Sequence, residues 1–273
     1  MPDRRRSPFH RAPARSLVRA LDDGDAVELL LYDEIGFWGI TAKQFAEQLA
    51  TITAGTIHLR VNSPGGDVFD GVAIFNALRA HPAQVITHID GLAASIASVI
   101  ALAGDEVRMA PNAFFMIHNP WGITIGDAQV HRKMADTLDK IADSAIASTY
   151  RAKSGQDAET VETWMNDETW FTAAEAEDAG FVDVVEDAQP ADASAAAFDL
   201  SIYQHVPPDL RDAEPAPRVR EAERRLREAG FSRQAAKAGA AAAIRALAGQ
   251  RDAGDGELVA SEIRQVATNL LRH

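Results

Sequence analysis

The 273-residue chain contains no cysteine. That excludes disulfides, thiol nucleophiles and cysteine-based zinc sites; the absence is compatible with a reducing cytoplasm but identifies no compartment by itself. No apolar run is long enough to span a bilayer, the longest weakly polar stretch, Gly91 to Gly104, being short and built from small residues. The N-terminus, MPDRRRSPFHRAPARSLVRA, is basic and lacks the apolar segment of a secretory signal. A soluble, cytoplasmic protein without membrane contact is expected. Neither the GxSxG elbow of α/β-hydrolases nor an HExxH zinc motif occurs. No repeat of solenoid length is present. No aromatics interleave with the arginines, so no nucleic-acid site is read.

What is present is ample material for a core, 47% of the residues being apolar. The length is long for one domain and short for two large ones. The net charge of -13 is uneven: residues 1–20 carry six Arg and one Asp, and residues 216–273 carry eleven Lys/Arg against seven Asp/Glu, leaving about -22 between them. The basic ends read either as solvated termini or as arms contacting the acidic body of another molecule.

Strand and helix signals alternate through the middle of the chain. Ala26 to Tyr32 reads as a strand, and Ala42 to Ala50 as a helix capped by Thr41. Thr56 to Val61 is a strand stopping at Asn62, and Asp70 to Ala80 has Val72, Ile74, Phe75 and Leu78 at helical spacing. Val85 to Ile89 reads as a short strand, Ser95 to Ala103 as a buried helix, and Glu106 to Met109 and Ala113 to Ile117 as further strands. Asp127 to Lys153 predicts one long amphipathic helix with a stripe of Val130, Met134, Leu138 and Ile141, stopped by Gly155. Ala158 to Met165 and Ala173 to Ala179 are helical, Thr169 to Thr172 extended, and Phe181 to Val185 a closing strand. This order predicts an α/β domain with a largely parallel sheet. Four parts are expected: a basic arm over 1–24, the α/β domain over 25–187, an Ala/Asp/Pro-rich linker over 188–217, and a helical tail over 218–273 too alanine-rich for a core of its own.

Two glycine-containing stretches, NSPGG at 62–66 and DGLAAS at 90–95, each read as a turn opening a helix. Backbone N–H groups at such turns attract negative charge. Side by side, they would surround Ser95 with oxyanion-stabilising donors. Alone, Ser95 reads as a small packing residue and His118 as a loop histidine; the order SPGG, GxAAS, strand ending in His is what joins them. Asp127 and His131, at i and i+4 without further ligands nearby, read as a surface pair, and neither a metal site nor a cofactor is expected.

The blocks NSPGG (62–66), GLAAS (91–95) and FMIHNP (115–120) resemble the signature blocks of the ClpP family of serine peptidases. GITAKQFAEQL (39–49) and ETWFTAAEAEDAGFVD (168–183) are similar to its bacteriophage branch, the ClpP-like head maturation proteases. The resemblance spans roughly residues 25–186. It implies a ClpP/crotonase-type fold of stacked ββα units, with the 127–153 helix as a handle pairing subunits across two rings. It implies Ser95 as nucleophile, His118 as general base and the N–H groups of Gly66 and Ile96 as oxyanion hole. It further implies a homo-oligomeric ring cutting capsid or scaffold proteins during head maturation without an ATPase, in the host cytoplasm or the prohead. The family's orienting aspartate falls on Thr169, leaving Asp167, Thr169 or another group to hold the histidine. Two other readings stand beside this one, a catalytically weak shell or scaffold subunit and an acyl-CoA enzyme of the crotonase type.

Overall fold

The computed structural model describes residues 17–21, 25–37, 39–186, 198, 200, 202–207 and 210. The expected helical tail, most of the linker and most of the basic arm lie outside the described residues. By its internal contacts the chain divides into two units, Met1–Ala193 and Ser194–His273; the first carries every element below.

Four strands share one buried apolar face. In β2 (Ala26–Leu31), β3 (Thr56–Ser63), β4 (Gln84–Ala94) and β5 (Glu106–Met109), residues such as Leu29, Leu31, Ile57, Leu59, Val61, Val85, Ile89, Val107 and Met109 point to one face and are buried. They pair parallel in the order β2-β3-β4-β5, and β8 (Val184–Val185) adds parallel to β5. Part of the expected arm belongs to the sheet: Val18–Ala20 forms β1, antiparallel to β2.

The other face of the same strands is polar and tied together. Arg60 donates to both oxygens of Asp90, from Nε at 2.9 Å and Nη2 at 2.5 Å, and the Tyr32 hydroxyl bonds the same carboxylate. His58 Nδ1 lies 2.9 Å from His88 Nε2, and His88 Nδ1 2.7 Å from Glu186 Oε1.

Helices α1 (Ala42–Leu49), α2 (Val68–Ala80) and α3 (Ile96–Ala101) contribute Phe45, Leu49, Ile74, Leu78, Val99 and Ile100 to the core on the apolar side. Thr41 caps α1 as expected, its Oγ1 accepting from Gln44 N at 3.2 Å. Asp67 caps α2, which therefore begins two residues before the expected Asp70.

The second glycine-containing stretch is not a turn. Residues 90–94 continue β4 as strand; beyond a register shift between Val61 and Ser63, Leu92–Ala94 pair with β6 (Phe114–Ile117) instead of β5. β7 (Thr169–Thr172) runs antiparallel to β6, with Ile117 opposite Thr169. The long helix is continuous but not uniform: α4 (Ala128–Ile141) passes into a π-helical turn (Ala142–Ala147) and then α5 (Ser148–Ser154), ended by Gly155 at φ 70°. Asp127 is the N-cap of α4, accepting from the N–H groups of Gln129 and Val130. No α4 residue is buried, whereas Ile141, Ala142 and Ala145 pack on the domain core. Helices α6 (Ala158–Asn166) and α7 (Ala173–Asp178) flank β7, and no helix among the described residues is long and apolar enough to cross a membrane.

Candidate active site

Ser95 stands where β4 ends and α3 begins. Its N–H still follows the sheet, donating to Met116 O at 3.0 Å, while its backbone turns to φ 56°, ψ -132°, an unusual conformation for a residue with a Cβ. The sharp turn swings the hydroxyl off the strand end. Below it, Ser98 Oγ donates to Ser95 O at 2.5 Å and shares a 2.7 Å hydrogen bond with the hydroxyl of the fully buried Tyr150 in α5. The floor of the serine is thereby fixed by two elements.

The SPGG turn lies against this serine. A Cβ on Gly65 would come within 2.7 Å of Ser95 Cβ and of Ala94 O, so only glycine fits. Gly66 forms a parallel bridge with Ile35, in which Ile35 N donates to Gly65 O at 2.8 Å and Asp67 N to Ile35 O at 3.0 Å. Those bonds use the neighbours of Gly66 and turn its own N–H away from Ile35. Ile96, the first residue of α3, has an N–H with no partner inside the helix. The expected side-by-side placement of the two stretches is observed, although one is a strand end.

His118 follows β6, and its Nε2 lies 2.7 Å from Ser95 Oγ. Burial pushes the imidazole pKa down to about 4, and the Glu168 carboxylate acts in the opposite direction. A neutral ring accepting the serine hydroxyl proton is thus the prevailing form near pH 7.

The residues expected to orient this histidine fall elsewhere. Helix α6 runs to Asn166, so Asp167 is its C-cap with helical φ and ψ, on an exposed turn rather than on an extension of β7. Thr169 donates from Oγ1 to Trp164 O at 2.7 Å and lies opposite Ile117, whose side chain is buried in the core. Directly opposed residues share a face, so Thr169 points to the Ile117 side of the hairpin. The register ends at Ile117 and Thr169, so His118, just after β6, and Glu168, in the turn before β7, both lie beyond it. Glu168 is only 8% exposed, has φ 50°, and accepts a long hydrogen bond from Trp170 Nε1 at 3.4 Å. Met165 O receives both Asn119 N and Glu168 N, at 3.2 and 3.4 Å, stitching the segment after His118 to the turn that carries Glu168. Behind the hairpin, Phe115, Phe171, Phe181 and Trp164 form one aromatic cluster with centroid separations of 5.0 to 6.4 Å. Strand alternation carried back past Thr169 would put Asp167 on β7, whereas the helix begun at the Asp157 cap runs to Asn166 and ends that alternation.

Chemically, the group is a hydroxyl beside a neutral imidazole with two backbone N–H groups close by, suited to attack on a carbonyl. A family model described as Clp protease matches residues 30–189. The ATP-dependent Clp protease proteolytic subunit 3 of Streptomyces coelicolor is 32% identical over 202 residues, 66% of this chain and 91% of that protein. An ATP-dependent Clp protease proteolytic subunit of Streptococcus pneumoniae is 35% identical over 133 residues, covering 47% and 67% of the two chains. The fold, the Ser95–His118 geometry and these matches together establish that the chain belongs to the Clp protease family.

Proposed function

We propose that this protein is a serine endopeptidase with Ser95 as nucleophile. The observation that carries the reading is the 2.7 Å approach of His118 Nε2 to a hydroxyl held on a strained strand-to-helix turn. Ser95 Oγ attacks the scissile carbonyl carbon while its proton passes to His118 Nε2; the carbonyl oxygen becomes an oxyanion facing the Gly66 and Ile96 N–H groups. Collapse breaks the C–N bond and His118 returns the proton to the leaving amine; water, deprotonated by the same imidazole, then releases the acid from Ser95. Each oxyanion donor is worth about 10²–10³ in rate.

The test is Ser95→Ala. Peptide cleavage and fluorophosphonate labelling are expected to vanish while the thermal transition stays in place; retained labelling removes Ser95 from the role.

The finer reading is a head maturation protease of the bacteriophage type, cutting capsid or scaffold protein without an ATPase. It is supported by the resemblance of residues 39–49 and 168–183 to that branch. On this reading the subunits form a ring, with α4 pairing across rings as a handle; its unburied stripe and the exposed Trp121, Ile123 and Ile125 in the preceding segment support such a contact. Residues 218–273, beyond the linker, would dock on the capsid or scaffold. Mixing the protein with the capsid protein encoded beside it is expected to give cleavage without ATP, lost in Ser95→Ala. Co-assembly without cleavage would instead indicate a shell subunit. A chain ending at Gln189 that still supports normal head assembly removes the docking role.

A further inference from the structure

The structure assigns Tyr150 and Ser98 as positioning residues that aim the backbone N–H of Ile96 at the reacting carbonyl oxygen. The proposal rests on the peptidase reading of Ser95, with Ile96 as an oxyanion donor.

It starts from the peptide unit itself. Ser95 O and Ile96 N belong to one planar group, in which a trans C=O and N–H point in opposite directions. Whatever fixes the carbonyl therefore fixes the donor. Ser98 holds Ser95 O twice, through its backbone N–H at 3.0 Å and its Oγ at 2.5 Å. Beside Ile96 N stands the SPGG turn, where a Cβ on Gly65 would lie 3.3 Å from that nitrogen. The two bonds draw the carbonyl into α3 and leave the Ile96 N–H on the opposite side of its peptide.

Tyr150 enters through the count of protons. A serine hydroxyl has one proton to donate. With that proton on Ser95 O, the 2.7 Å bond between Ser98 Oγ and the Tyr150 hydroxyl has tyrosine as its donor. Burial raises the pKa of the phenol, which keeps its proton. The series Tyr150 O–H, Ser98 O–H, Ser95 C=O runs in one direction, and bonds in such a series polarise one another. Electron density drawn onto Ser95 O comes through amide resonance from Ile96 N, which makes its N–H the better donor.

Packing alone does not call for the phenol. Ser98 is 0% and Tyr150 1% exposed, and a phenylalanine would offer Phe181 the same ring edge at the 5.8 Å centroid distance. The tyrosine reaches α3 because α5 is out of phase with α4. Between them lies the π-helical turn Ala142–Ala147. Bonding of the i→i+5 type inserts one residue and rotates every later side chain by about 100°. Helix α4 buries nothing, whereas α5 buries Tyr150.

The experiment compares the parent with Tyr150→Phe, Ser98→Ala and the double variant in peptide hydrolysis, inhibition by a peptide boronate and urea unfolding. The boronate forms a tetrahedral adduct on Ser95 and so reads oxyanion stabilisation separately from substrate binding. Ser98→Ala is expected to lower kcat by about 10- to 100-fold, part of what losing a whole donor costs. KM stays nearly unchanged, and boronate affinity falls by a similar factor. Tyr150→Phe lowers both by less, since Ser98 still donates to Ser95 O. Ser98→Ala also strands a buried phenol and lowers the urea midpoint. The double variant removes both partners and recovers most of that midpoint, while kcat stays low. If the pair served packing alone, kcat per folded molecule would match the parent throughout, or would return in the double variant together with stability; either result overturns the proposal. A fall in kcat with boronate affinity unchanged overturns it as well. Were Ser98→Ala not to fold, Tyr150→Phe and the double variant carry the same comparison. Fluorophosphonate labelling that survives Ser95→Ala counts instead against the peptidase reading, and is measured independently of these variants.

Discussion

Gly71→Ala tests how tightly the site is built from behind. Gly71 lies in α2 facing α3, and a Cβ there would come within 2.1 Å of Ile96 Cγ1, with Ile96 Cβ and Cδ1 at 3.2 Å. Ile96 is itself 2% exposed and has little room to retreat. In an open helix the change would stabilise by about 0.5–1 kcal/mol, because alanine restricts the unfolded chain. Overpacking a tight core costs about 1–3 kcal/mol, so the clash prevails and a net loss of about 0.5–2 kcal/mol is expected. On the proposed reading, in which the Ile96 N–H is one of the two oxyanion donors, kcat should fall with little change in KM. Urea unfolding at fixed protein concentration reads the loss as a lower midpoint at constant m. The decisive variant is the double mutant with Ile96→Ala. Truncation at 96 alone should cost about 2–5 kcal/mol; in the pair the new methyl partly fills the space, so the double mutant should be more stable than the sum of singles by about 1 kcal/mol or more. A Gly71→Ala protein as stable as its parent, or strict additivity in the cycle, refutes the close α2–α3 contact.

Two further outcomes follow from the polar face and from burial. Arg60 and Asp90 have side chains only 10% and 9% exposed, so Asp90→Ala should destabilise by about 3–5 kcal/mol by stranding a buried guanidinium, while Asp90→Leu with Arg60→Met should cost much less; equal losses in calorimetry would contradict a buried pair. His118 has a folded pKa near 4 against the ordinary 6.5, so the unfolded chain binds the proton first as pH falls. This histidine's contribution is intact above about 6.5 and lost progressively toward 4, costing at most about 2 kcal/mol at pH 5. His118→Gln should therefore lose less stability than the parent between pH 7 and 5; parallel losses in urea titrations would show the ring is not held neutral by burial.

The order of strands and helices was legible because short apolar runs, some loosely alternating, mark the core strands and the helices carry recognisable caps such as Thr41. The pairing of Ser95 with His118 was legible only through the order of their blocks, since neither residue is distinctive alone. Residues 90–94 read as a turn because glycine and alanine give no strand signal; they are strand because Leu92–Ala94 gain β6 as a neighbour, a pairing set by chain far downstream. The polar face hid in plain alternation: His58 and Arg60 lie between Ile57, Leu59 and Val61, and their partners His88 and Asp90 come from another strand. The turn before β7 was illegible for a local reason. A single positive φ, at Glu168, separates the end of α6 from the start of β7, and propensity assigns that conformation to Gly and Asn rather than to Glu.

Ser95 and Glu168 are the two non-glycine positive-φ residues among those described, at about 1–3 kcal/mol apiece. Glycine at either position would relieve the backbone and remove the side chain in one step. A descendant of this chain freed from any need to cut would drift fastest at 95 and 168, gaining robustness as it lost chemistry while sheet and helices stayed recognisable.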